Sequence, residues 1–97
     1  MNYLKLDLAV DDKFGEVVKE LNEFTEKKLS INELHNKIFI LNTMEKMERL
    51  TNLRIKINRR LVQTNDIRIV GQARDNVAQA LSFLEALHVR KNIILGK

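Results

Sequence analysis

A chain of 97 residues with no proline and only three glycines, Gly15, Gly71 and Gly96, has very little to turn on. Sandwiches and barrels need a turn about every 8–12 residues, and turns consume glycine and proline. Few, long elements are therefore expected. Hydrophobic periodicity then says which kind they are.

"DDKFGEVVKELNEFTEKKL" places Phe14, Val17, Val18, Leu21 and Phe24 on one helical face. Asp11 and Asp12 stand where carboxylates favour a helix start, and Lys27 and Lys28 where cations favour an end. Ahead of it, "NYLKLDLAV" alternates Leu4, Leu6, Leu8 and Val10 with Tyr3, Lys5, Asp7 and Ala9. That is period 2, the pattern of a strand with one apolar face, and a lone strand needs a partner strand or a groove.

In "LSINEL", Ser30 with Glu33 has the spacing of a capping box, and Leu29 with Leu34 that of a hydrophobic staple, so a second helix starts at Ile31. Its apolar residues Leu41, Met44, Met47, Leu50 and Leu53 step by three, so its seam rolls around the axis. The helix either wraps its partners or breaks near Asn42 and Thr43 or near Thr51 and Asn52. Farther on, Val70, Ala73, Val77, Ala80, Leu81, Leu84 and Leu87 share a stripe, with Ile67 at its edge and Gly71 opposite. This phase favours a helix beginning after "QTND", capped by Thr64, Asn65 or Asp66. A β-hairpin over 53–57 and 66–70 is the competing reading, because both stretches alternate and "IRIV" is rich in β-branched residues.

The expected fold is mainly α: a single domain, residues 1–97, with helical segments at about 11–29, 31–62 (continuous or broken) and 66–92, plus an N-terminal strand at 3–10. The elements form a helical bundle. Phe39, Ile40, Ile55, Val62, Val89, Ile93 and Ile94 fall outside or beside the main stripes. So small a chain has little spare interior, so this surplus points to self-association, most simply as a homodimer.

Charge is unevenly placed. Residues 1–30 hold five lysines against seven acids, whereas Arg49 to Arg74 hold seven bases and one acid, Asp66. Arg54, Lys56, Arg59, Arg60, Arg68 and Arg74 are the candidate contacts for phosphate or an acidic partner. No Phe lies between Phe39 and Phe83 and the only tyrosine is Tyr3, which disfavours base-stacking recognition of single strands but not contact with duplex phosphates.

Enzyme chemistry finds few supports. With no cysteine there is no thiol nucleophile, thiolate zinc site or disulfide, as suits a reducing compartment. Ser30 and Ser82 read as a cap and a helix residue, and no phosphate-cradling glycine loop is present. Glu85 and His88 give a single E-x-x-H, where a di-metal bundle site needs two and inward-facing glutamates besides. His35 merely flanks its own apolar stripe. Neither a metal, a cofactor nor a small-molecule substrate is expected. Without a basic-then-apolar leader or a run of about 18 apolar residues, a cytoplasmic, non-membrane protein is expected.

Residues 3–42 resemble the ribbon-helix-helix DNA-binding family in order and spacing. The strand "YLKLDLAV", the helix "DDKFGEVVKELNEFTEKKL", a serine-capped turn and "SINELHNKIFIL" follow one another, with Leu34, Ile38 and Leu41 at the family's apolar positions. The resemblance implies a strand paired with its dimer mate and lying in the major groove. Tyr3, Lys5 and Asp7 would then read bases, and the amides around Ser30 and Asn32 would hold phosphate. Asp7 carries the wrong charge for that role, and residues 43–97 lie outside the resemblance. Two functions follow from the sequence: an interaction or regulatory module acting through apolar helix faces and a basic elbow, or a duplex-DNA-binding regulator.

Overall fold

The computed structural model describes residues 2–26 and 33–96, with three helices: α1 (Tyr3–Glu26), α2 (Glu33–Leu61) and α3 (Ile67–Leu95). Helix α2 lies antiparallel to both neighbours and packs against each. The molecule measures 54 × 25 × 18 Å. No described residue is in a strand.

The strand expected at 3–10 is instead the first two turns of α1. Asn2 caps this helix: its Oδ1 accepts the Lys5 N–H at 3.2 Å, and its carbonyl accepts the Leu6 N–H. The alternation of leucines was a local accident within a longer row. Tyr3, Asp7, Val10, Phe14, Val17, Leu21 and Phe24 advance by alternating steps of four and three, and all are buried or half-buried. Leu4, Leu6 and Leu8 face outward, at 45%, 39% and 64% exposure. An aspartate inside and leucines outside made a helix read as a strand.

α2 runs unbroken through both suspected break points. Thr43 and Thr51 are buried, and each hydroxyl donates to the carbonyl one turn earlier, Thr43 to Phe39 and Thr51 to Met47. They are interior residues rather than caps. The inward row is Ile40, Met44, Met47, Thr51, Arg54, Asn58 and Leu61, again in steps of four and three, while Leu53 faces out. The expected capping box at Ser30 falls outside the described residues.

The segment 53–70 is a helical elbow. Helix α2 ends in a tight turn, with the Gln63 and Thr64 N–H groups donating to the Arg60 and Leu61 carbonyls, and α3 begins at Ile67. Asp66 supplies the cap, its carboxylate accepting the Arg68 N–H at 2.9 Å. At the far end Gly96 adopts the left-handed conformation (φ 75°) that closes α3. The inward row of α3 is Ile69, Ala73, Asn76, Ala80, Phe83, Leu87 and Ile94. The stripe expected from sequence is thus rotated: Ala73, Ala80 and Leu87 are buried, but Leu81 is 48% exposed and Ile67 87% exposed. Gly71 is exposed as expected, and a Cβ built there meets nothing within 4 Å. Gly71→Ala should therefore raise the unfolding free energy by about 0.5–1 kcal/mol through helix propensity alone, measured by urea denaturation.

Two apolar clusters hold the helices. Near the elbow, Val10, Ile57, Leu61 and Ala73 pack with Tyr3, Leu50, Val62 and Ile69. Farther along, Met44, Met47 and Leu87 pack with Phe14, Val17, Leu21, Ile40 and Phe83 among others. Phe14 meets Phe83 edge to face at 5.3 Å, joining α1 to α3 directly, and Phe24 stacks on Phe39 at 4.1 Å where α1 lies against the start of α2. No described helix is long and apolar enough to cross a membrane.

Candidate functional site

One level of the interior is polar and involves all three helices. Asn58 on α2 is fully buried. Its Nδ2 donates to Asp7 Oδ1 on α1 at 2.7 Å and to the Arg54 carbonyl at 2.9 Å, while its Oδ1 accepts from Asn76 Nδ2 on α3 at 3.1 Å. Arg54 reaches the same place from one turn earlier. Its Nη1 donates to Asp11 Oδ1 at 2.9 Å, and its buried Nε sits 3.4 Å from Asp7 Oδ1, close enough to attract but without hydrogen-bond geometry. The side chain of Asp7 is only 12% exposed, so its charge is compensated within the fold rather than by water. Each helix contributes to this layer from its inward row, and shifting any row by one turn would leave these groups unpaired. The layer therefore fixes register.

This layer redistributes the basic residues. Arg54 is absorbed into the interior as an ion-pair partner. Lys56, Arg59, Arg60, Arg68 and Arg74 are exposed. Arg59 and Arg60 occupy the last turn of α2, where they also complement its dipole. Arg68 begins α3 and Arg74 follows two turns later. Tyr3 is half-buried against the elbow-side cluster, Lys5 is exposed, and Ser30 and Asn32 lie outside the described residues. Residues 3–10, which the ribbon-helix-helix resemblance places in a groove-reading strand, are helical. Glu85 and His88 are both exposed on α3, and Asn92 Nδ2 lies 3.3 Å from His88 Nε2.

The second feature is an apolar outer surface. Leu4 and Leu8 on α1, and Leu81, Val89, Ile93 and Leu95 on α3, are each 45% exposed or more. On α3, Leu84 and His88 line a groove with Glu48 and Asn52 of α2, across which Lys91 Nζ reaches Glu48 Oε2 at 3.7 Å. Sequence reading anticipated an apolar surplus but assigned it mostly to other residues. Of those, Val89 and Ile93 are exposed, whereas Ile55 is in the interior. The polar layer was missed altogether. Its signal was available in the four–three spacing read backward from Phe24, which lands on Asp7. In comparisons with protein-family models, curated proteins and solved structures, nothing matches this chain.

Proposed function

We propose that the protein is a non-enzymatic helical interaction module that works as a homo-oligomer, with a basic elbow available to an acidic partner. The observation that carries this reading is the excess of surface. The chain exposes 7462 Å², where a folded monomer of 11.3 kDa exposes about 5,700 Å². Among the described residues, leucines, isoleucines and valines on all three helices stand well exposed, Leu8, Ile67 and Ile93 at 64%, 87% and 71%, and side chains of this kind are ones a soluble protein covers with a partner. The buried layer supports the reading from the other side, because Asp7, Arg54 and Asn58 hold the scaffold and so leave the leucines to face outward.

A duplex-binding regulator is the second reading, favoured by the five exposed cations at the elbow. The two readings separate in one experiment: sedimentation equilibrium across a concentration series, with duplex DNA binding titrated against salt on the same sample. The first reading expects a concentration-dependent dimer and weak or no duplex binding. Arg59→Glu with Arg60→Glu would then leave the dimer intact while disturbing an acidic partner. The second expects binding that falls with a log–log salt slope of about −4.5 if all five cations meet phosphate. A monomer at every concentration, with no duplex binding at low salt, would defeat both.

A further inference from the structure

Helices α1 and α3 both pack on α2 but not closely on each other. Among the described residues, no Cα of α1 comes within 8 Å of a Cα of α3. Phe14 and Phe83 bridge the space between them. On the elbow side of that bridge lies a cavity of about 250 Å³ with α2 as its floor. Leu4 and Leu8 of α1, Leu61 of α2, and Ile69 and Ala73 of α3 give it apolar walls. Asp7 lines it as well, together with the carboxamides of Asn58, Gln72 and Asn76.

Asp7 is the group here that the fold serves incompletely. Its side chain is only 12% exposed, and both of its contacts, Asn58 Nδ2 at 2.7 Å and Arg54 Nε at 3.4 Å, fall on Oδ1. No described residue donates to Oδ2, although a carboxylate has about four acceptor sites. Arg54 gives its side-chain hydrogen bond to Asp11, so one guanidinium serves two carboxylates and the layer is one positive charge short. Asn76 donates to Asn58 through Nδ2, and its Oδ1 receives no donor from the described residues. The inner end of the cavity therefore presents acceptors and net negative charge at the bottom of an apolar slot.

We propose that this cavity binds a primary aliphatic ammonium, with the charged group against Asp7 and Asn76 and the methylene stem between Leu4, Leu8 and Ile69. An ammonium brings the charge that the layer lacks and three donors for the open acceptors. A hard metal cation would find one carboxylate among apolar walls instead of the six to eight oxygens it needs, and an anion would meet Asp7. Volume sets the size. Drug-sized ligands occupy about 300–1,000 Å³, so this slot suits one lysine side chain or a short alkylamine. The orientation follows from the helix ends. Both α1 and α3 begin at the elbow, where their free N–H groups carry partial positive charge, so the cation turns away from that end toward Asp7. The stem then points along Leu4 and Ile69, where the apolar walls continue into a second depression that ends at Tyr3 and Thr64. A free amine and a lysine carried by a partner present the same group, and neither depends on self-association.

The test titrates the isotope-labelled full chain with hexylammonium at pH 7, well below the usual amine pKa of about 10.4. The side-chain amide signals of Asn58 and Asn76 and the backbone signals of Ile69 and Ala73 should shift, with a dissociation constant on the order of 1 mM. Hexanol, with the same stem and no charge, should bind about tenfold more weakly. Asp7→Asn keeps the shape of the side chain and an oxygen for Asn58, and it should lose about tenfold in hexylammonium affinity alone. Leu4→Gln should weaken amine and alcohol alike by about threefold, whereas Leu81→Gln, of similar exposure on the other side of α3, should change neither. Circular dichroism should show every variant helical, and if Asp7→Asn is not, Leu4→Gln and the hexanol comparison still decide. A blocked lysine that binds as well as hexylammonium supports a partner's lysine as the occupant, and binding by hexylammonium alone supports a free amine. Absence of these shifts at about ten times the expected constant overturns the proposal. So does equal binding of hexanol, or undiminished binding to helical Asp7→Asn protein.

Discussion

Exchanging Asn58 for aspartate should lower the unfolding free energy by about 3 kcal/mol at neutral pH, although the two side chains are nearly the same shape. Asn58 Nδ2 donates to Asp7 Oδ1 at 2.7 Å from a site with no exposure to water. In the variant a carboxylate takes the donor's place, so two negative charges meet in the interior and the hydrogen bond is lost. Leaving a buried charge without its partner costs about 3–5 kcal/mol, and Arg54, 3.4 Å from Asp7, offsets part of it. Urea denaturation at pH 7, at one fixed protein concentration, checks the size. A change below about 0.5 kcal/mol at pH 7 would mean that the two side chains do not face each other.

Ala73→Phe should be comparably damaging, by about 3 kcal/mol, for a steric reason. Ala73 is 1% exposed and packs with Val10 of α1 and with Ile57 and Leu61 of α2, so all three helices converge on a side chain of one carbon. A ring there must displace α3 from α2 or force neighbours off their rotamers, and overpacking of this kind costs about 1–3 kcal/mol for far smaller insertions. The same exchange at Ala86, exposed on the same helix, serves as the control and should change stability by less than about 0.5 kcal/mol. Thermal unfolding of the two variants side by side reads the difference. Equal behaviour would place Ala73 outside the core.

What could be read from the sequence, and what could not, divides along the polar layer. The scarcity of glycine and proline announced few, long elements, periodicity made three of them helical, and Asp66 was among the caps expected for the third. The basic elbow was also legible, because the phase running from Val70 onward outweighed the β-branched "IRIV". Phase failed where a polar residue occupies an interior position. Asp7 broke the inward row of α1, leaving Leu4, Leu6 and Leu8 to imitate a strand, and Asn58 and Arg54 did the same in α2, where Leu53 was placed inside. In α3, Asn76 concealed the inward row, so Leu81 was counted as core. Pattern reading assumes that leucine is inside and aspartate outside, and here hydrogen bonding between helices reverses both. Among the cations, Arg54 could not be separated from Lys56, Arg59 and Arg60 without knowing that Asp7 and Asp11 sit across from it. The candidate site was therefore legible in composition but not in geometry.

That reversal is most directly tested by a double-mutant cycle between Asp7 and Asn58, residues 51 positions apart in sequence. Unfolding free energies of wild type, Asp7→Ala, Asn58→Ala and the double variant give the coupling between them. If Asp7 lies inside a helix against α2, the two losses share one interaction, and the coupling should be about 1.5–3 kcal/mol. Strict additivity, within about 0.5 kcal/mol, would contradict the account, because it would place Asp7 away from Asn58 and return residues 3–10 to some other structure.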